Sequence, residues 1–124
     1  MAIRILIADD HEPVRQALRG LIESHQGWEV CGDAEDGDEA VSKAAELCPD
    51  VIILDLAMPR MDGLEAARHI HNATPGIPII LHTLYSSPAV ERAAQVMGIY
   101  KVTSKNNGPG LCAELESLFP VSKP

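Results

Sequence analysis

Short apolar runs alternate along the whole chain with segments in which apolar residues return every three or four positions. The runs at 3–8, 28–32, 51–54, 77–81 and 100–103 predict five strands. Between the first two, Val14, Ala17, Leu18, Leu21 and Ile22 recur at helical spacing, with Pro13 suited to a first turn. Asp36-Gly37-Asp38-Glu39 opens a second predicted helix that runs through Leu47, its acids at the dipole-positive end. A third carries Leu64, Ala67 and Ile70 inward and stops before Thr74-Pro75-Gly76. Ser87-Pro88 caps a fourth, with Val90, Ala93, Ala94 and Met97 on one side, and Leu111, Leu115 and Leu118 mark a fifth. Strands this apolar, each followed by a helix, imply a parallel sheet covered on both faces.

The 124 residues suit a single domain, expected over 1–119, with 120–124 a C-terminal tail or the start of a linker. Aromatic residues are scarce, so aliphatic packing must carry the core. No apolar stretch approaches the ~20 residues of a membrane span, and no basic-then-apolar leader opens the chain. A cytoplasmic protein with no membrane partner is the expectation. The net charge of −8 argues against direct nucleic-acid binding, which needs Lys and Arg to neutralise phosphates. Cys31, Cys48 and Cys112 are far apart with no CxxC pair, and are expected to be three buried small side chains in a reducing compartment.

The chemistry gathers at strand ends. The first strand runs into Asp9-Asp10, and the third into Asp55-Leu56-Ala57-Met58-Pro59-Arg60-Met61-Asp62-Gly63. Thr83 follows the fourth strand and Lys105 the fifth. In an open α/β sheet, the crevice beyond the carboxyl ends of the strands is where ligands bind. An acid delivered there by a strand and followed by a Pro/Gly turn is expected to face solvent. Three clustered acids repel one another unless a cation joins them. Carboxylates with waters and a phosphate are what Mg²⁺ prefers, a Lys ammonium offers phosphate a point charge, and a carboxylate can attack phosphorus. Taken singly, each residue has an ordinary role as a cap, a strand-end hydroxyl or a solvated charge. Their joint placement at the ends of four strands points to phosphoryl transfer onto Asp55.

Other chemistries fit poorly. His69 and His71 stand two apart on a helix and face different ways, so they cannot clamp a metal together. His82 is expected to pack at a strand end. A flavodoxin-type carrier needs a hydroxyl- and glycine-rich loop where Asp9-Asp10-His11-Glu12 stands, and an aspartyl phosphatase needs a second Asp where Ala57 stands.

Asp9-Asp10, Asp55 with Met58-Pro59-Arg60-Met61-Asp62-Gly63, Thr83 and Lys105 together resemble the response-regulator receiver domain of bacterial two-component signalling. The resemblance covers Ile3 to about Phe119. It implies a flavodoxin-like (βα)5 three-layer sandwich with strand order 2-1-3-4-5. It further implies that a histidine kinase donates a phosphoryl group to Asp55, with Thr83 and Lys105 assisting. Mg²⁺ would be held in the acidic pocket of Asp9 and Asp10 by Asp10, Asp55 and the Ala57 carbonyl. Such a domain is no enzyme beyond its own phosphoryl transfer and dephosphorylation, and a homodimer is one of its common states. Asp9-Asp10-His11, with no Pro after Lys105, resembles the subfamily with a LuxR-type helix-turn-helix output, which would lie beyond residue 124. The alternative is a degenerate receiver that binds a protein partner independently of phosphorylation.

Three positions depart from the family pattern. Val102 stands where a Tyr or Phe switch is usual, with Tyr100 two residues earlier on the same strand face. Leu84 stands where a small residue is usual, which narrows phosphoryl access. Asn106 replaces a Pro, which removes the reason for a cis bond there, and 106–110 read as a looser turn. An intact acid, Thr and Lys set beside Val102 implies a signal that leaves through Leu84, Tyr85 and the rest of the loop to Ser87 and the fourth helix, and not through an aromatic swing.

Overall fold

The computed structural model describes residues 2–120. Its elements alternate as read from the pattern: β1 (Ile3–Ala8), α1 (Glu12–Glu23), β2 (Trp28–Ala34), α2 (Gly37–Leu47), β3 (Val51–Leu54), α3 (Gly63–Ala73), β4 (Ile79–Thr83), α4 (Pro88–Val96), β5 (Lys101–Ser104) and α5 (Gly108–Leu118). The sheet order is β2-β1-β3-β4-β5, with every neighbouring pair parallel.

Side chains alternate across each strand, so the sheet divides the core in two. Ile52 and Leu54 of β3 pack with Leu6, Leu81 and the inner faces of α2, α3 and α4. Val51 and Ile53 pack on the other side with Ile5, Ile7, Ile80, α1 and α5. The strand order reverses between β1 and β3, and the crevice at their carboxyl ends is the place the topology reserves for a ligand.

Local chemistry sets the boundaries. Asp36 and Asp62 cap α2 and α3 by accepting the Glu39 and Glu65 N–H groups, and Ser87 caps α4 through the Val90 N–H. β2 runs to Ala34, two residues past expectation, because the pairing with β1 shifts between Ile5 and Leu6, skipping Cys31. β4 begins at Ile79, not Ile77, since Pro78 has no N–H to donate; it takes in Thr83. β5 begins at Lys101, so Tyr100 precedes the strand, though its N–H still reaches the Ile79 carbonyl at 2.8 Å.

The expected looser turn over 106–110 is instead a capped helix start. Asn107 accepts the Gly110 N–H at 2.9 Å, and Gly108-Pro109-Gly110 form the first turn of α5. Among the described residues no peptide bond is cis. The three cysteines are not all buried: Cys112 is, Cys31 is partly so, and Cys48 is exposed. Cys48 caps α2 in the left-handed region at φ 47°, turned off the helix's inner face. Of the expected tail at 120–124, only Pro120 lies among the described residues.

One glycine governs the loop after β3. A Cβ on Gly63 would stand 2.1 Å from the Asp55 carbonyl oxygen, and the Gly63 N–H donates to the Leu56 carbonyl at 2.8 Å. Only a residue without a side chain lets α3 start this close to the end of β3. Gly63→Ala should therefore lower stability by about 1–3 kcal/mol, the usual cost of forcing atoms into a filled space. Urea unfolding monitored by circular dichroism measures this, and an unchanged midpoint would contradict it.

Candidate functional site

β1 and β3 deliver Asp9 and Asp55 to the same side of the reversal point, and α5's approach delivers Lys105 between them. The Lys105 ammonium lies 2.6 Å from Asp9 Oδ2 and 3.0 Å from Asp55 Oδ2. The expectation that Asp55 faces solvent is not met. Its residue exposure is 3%, and Oδ1 is a buried oxygen with no hydrogen-bond partner among the described residues. The Lys105 ammonium lies against the carboxylate, and Gly63 packs on the Asp55 backbone. Burial pushes the Asp55 carboxyl above its ordinary range and Asp9 adds to this, while Lys105 opposes both. Burial likewise acts to lower Lys105, but the two carboxylates overcome it and hold the ammonium above its usual value.

Asp10 sits at the rim, exposed. The His11 imidazole joins the acids there, with Nδ1 at 2.9 Å from Asp10 Oδ1 and 3.4 Å from Asp9 Oδ1. Asp9, Asp10 and His11 can bring one ligand atom each within 4.8 Å of one another. The His11 backbone N–H also donates to Asp9 Oδ1 at 2.8 Å, which fixes the direction of that carboxylate. The donor set is hard oxygen beside an unpartnered buried carboxylate oxygen, which suits a divalent cation of the Mg²⁺ type. Ala57 stands in the exposed loop two residues after Asp55.

Thr83 is fully buried at the end of β4, and its hydroxyl accepts the Tyr85 N–H at 3.1 Å. Leu84 and Tyr85 project from the loop, both more than half exposed. Leu84 lines a cavity of about 410 Å³ with Lys105, His82 and the Leu18 and Leu21 side of α1. Val102 packs partly buried against the α4 side of the core, and the more exposed Tyr100 borders the same cleft between α4 and β5. Asp9, Asp55 and Lys105 thus meet at one rim with Asp10 beside them, Thr83 stands at the end of the neighbouring strand, and Tyr100 and Val102 line one cleft.

One contributor escaped sequence reading, and a second was read without its polar partner. Arg15 is buried on the inner side of α1, donating to the Asp9 carbonyl at 2.7 Å, with Nε 3.5 Å from Asp33 and Nη2 3.6 Å from Glu35. It ties the ends of β1 and β2 beneath the acidic pair. Its signal was an arginine between the apolar positions Val14 and Leu18. His82 is the second: at 3% exposure its Nδ1 shares a 2.7 Å hydrogen bond with Thr103 Oγ1. The expected strand-end packing is correct for it, but its polar partner was invisible without the β4–β5 register.

Burial, with the Lys105 charge adding to it, lowers the His82 pKa from 6.5 to about 4. The unfolded chain therefore takes up this proton before the folded one does. Stability contributed by neutral His82 is complete above pH ~6.5 and is lost as the pH falls toward ~4. Over that window the wild-type stability curve should fall more steeply than that of His82→Leu, by up to ~1.4 kcal/mol per pH unit for one proton. Urea unfolding of both proteins across the window checks this, and parallel curves would refute it.

A profile of the response regulator receiver domain matches residues 5–115. The transcriptional regulatory protein LiaR of Bacillus subtilis is 46% identical over 83 residues, covering 67% of this chain and 39% of LiaR. A protein-glutamate methylesterase/protein-glutamine glutaminase of Caldanaerobacter subterraneus is 43% identical over 88 residues, 71% of this chain and 24% of that protein. The chain spans between 22% and 41% of the length of such curated relatives. Among solved structures, the response regulator domain of Thermotoga maritima CheB superposes with a TM-score of 0.90 at 29% identity, covering 99% of this chain and 100% of that one. A LuxR-family two-component response regulator from Aurantimonas gives 0.91 at 31% identity, covering 95% and 85%. No helix among the described residues is long and apolar enough to cross a membrane.

Proposed function

Because the chain belongs to the response regulator receiver domain family of two-component systems, we propose that Asp55 is its phosphoacceptor and that a histidine kinase is the donor. The observation that carries this is the Lys105 ammonium bridging two buried carboxylates from separate strands.

In the proposed step, an Asp55 oxygen forms a bond to phosphorus as the N–P bond of a phosphohistidine breaks. The donor imidazole leaves with the bonding pair. The two Asp55 oxygens are not equivalent: Oδ2 is held by Lys105, while Oδ1 is unpartnered. Asp10, Asp55 and the Ala57 carbonyl would hold Mg²⁺ beside Asp9, and the ion would offset charge on the phosphoryl oxygens. Lys105 then gives up one carboxylate and turns its ammonium to a phosphoryl oxygen. Thr83 turns its hydroxyl from the Tyr85 N–H to another. That N–H loses its acceptor, and the exposed loop at Leu84 and Tyr85 shifts with the start of α4. Val102 has no ring to swing, so Tyr100 and Val102 take a passive part in this route.

The chain's own chemistry on this reading is to take up and lose one phosphoryl group. Residues 1–119 form the unit, in the cytoplasm, and 120–124 are a C-terminal tail or the start of a linker. Likeness to the LuxR-family response regulator of Aurantimonas and to a DNA-binding LuxR-family response regulator of Staphylococcus aureus supports a LuxR-type DNA-binding output in the parent protein, with a homodimer as one of its states.

Incubation with acetyl phosphate and Mg²⁺, followed by intact mass measurement, tests the reading. A species heavier by about 80 Da, the mass of one phosphoryl group, should form in the wild type, be absent in Asp55→Ala and without Mg²⁺, and show a shifted Tyr85 amide resonance. A missing species, or one that persists in Asp55→Ala, would favour a binding module that works without phosphorylation.

A further inference from the structure

The His82 imidazole is a buried titratable group that the phosphoryl chemistry above leaves unused. It stands on β4 immediately before Thr83, and Thr103 stands on β5 two residues before Lys105. The register pairs His82 with Thr103 and Thr83 with Ser104, and the Lys105 N–H continues the ladder to the Thr83 carbonyl at 3.2 Å. The side-chain bond between His82 and Thr103, at 2.7 Å, therefore lies one step before the residues that carry the reacting groups.

The location matters because β5 is the edge strand. It has four residues and its ladder joins β4 alone. Toward α4, its central side chain is the small Val102, only partly buried. Toward α1 and α5, His82 borders the cavity of about 410 Å³ that also touches Lys105 and Asn106. Packing on neither face of the strand end is dense, so a directed bond has more to do there than in a filled core. The imidazole is suited to the task. Neutral, it offers a donor or acceptor to a hydroxyl without bringing a second positive charge up to the Lys105 ammonium.

We propose that His82 and Thr103 are a positioning pair: their cross-strand bond holds the carboxyl end of β5 against β4 so that Lys105 reaches Asp55 and the incoming phosphoryl group. This rests on the phosphoacceptor reading of Asp55. The pair touches neither donor nor acceptor and acts through the backbone that carries Lys105. It sets how fast the phosphoryl group is received, not whether the metal binds.

The test follows phosphorylation by acetyl phosphate with Mg²⁺, using intact mass against time in the full chain. Thr103→Val and His82→Leu remove the bond, whereas Thr103→Ser and His82→Asn keep a group able to form it. The maximal rate should fall about fivefold in each apolar variant, return to within about twofold of wild type in each conservative one, and fall no further in the apolar double variant, as for two residues acting as one unit. The Mg²⁺ concentration for half-maximal rate should stay unchanged. Apolar variants as fast as wild type would overturn the proposal, as would conservative variants slowed as much as the apolar ones. If one apolar variant does not fold, the other decides. Failure of both to fold would assign the pair to stability and overturn the positioning role. A wild-type chain that takes up no phosphoryl group contradicts the phosphoacceptor reading itself; a labelled wild type with unaffected variants contradicts the pairing alone.

Discussion

Two carboxylates buried beside each other at the ends of adjacent strands can be tolerated only with a cation between them. The chain meets this constraint with Lys105, carried in from the far edge of the sheet to within hydrogen-bond reach of both Asp9 and Asp55. Much of the surrounding architecture serves that encounter. β1 and β3 must be neighbours, the order must reverse between them, and β5 must end level with both. Gly63 lets α3 start against the backbone of Asp55, and Arg15 anchors the β1 end from below.

The same arrangement makes the site responsive. Asp55 is held above its ordinary pKa chiefly by burial, and its second oxygen is unpartnered. Such a carboxylate gains more from a new cation or a new covalent bond than a solvated one does. Lys105, Thr83 and the Tyr85 N–H each already have a partner that a phosphoryl group would compete for. On the proposed reading, signal and chemistry are joined by exchange of hydrogen bonds at one rim.

Much of this was legible in the sequence, because its alternation of apolar runs with helical spacing leaves one plausible layering. The five groups at strand ends were legible for the same reason: a strand's end fixes where its next residue goes. Features that depend on register or on depth were not. The bulge that skips Cys31 extends β2, and nothing in Trp28-Glu29-Val30-Cys31-Gly32 announces it. Asp55 read as solvent-facing because it ends a strand and precedes a Pro/Gly turn, yet it is buried with Lys105 against it. The His82–Thr103 bond joins residues 21 positions apart through a pairing that only the folded sheet defines. Asn107 as a helix cap was hidden because Gly108-Pro109-Gly110 is turn-like in composition, although Pro is at home in a first helical turn.

The whole rests on the readiness of the buried Asp55 carboxyl, held by Lys105 through one oxygen, to take a divalent ion and a phosphoryl group. Its most direct test is the carbon-detected NMR titration of the Asp55 carboxyl, with and without Mg²⁺. The account requires a midpoint above the usual aspartate range without the ion and a marked fall when Mg²⁺ is added. A midpoint at the ordinary value that Mg²⁺ leaves unmoved would contradict it.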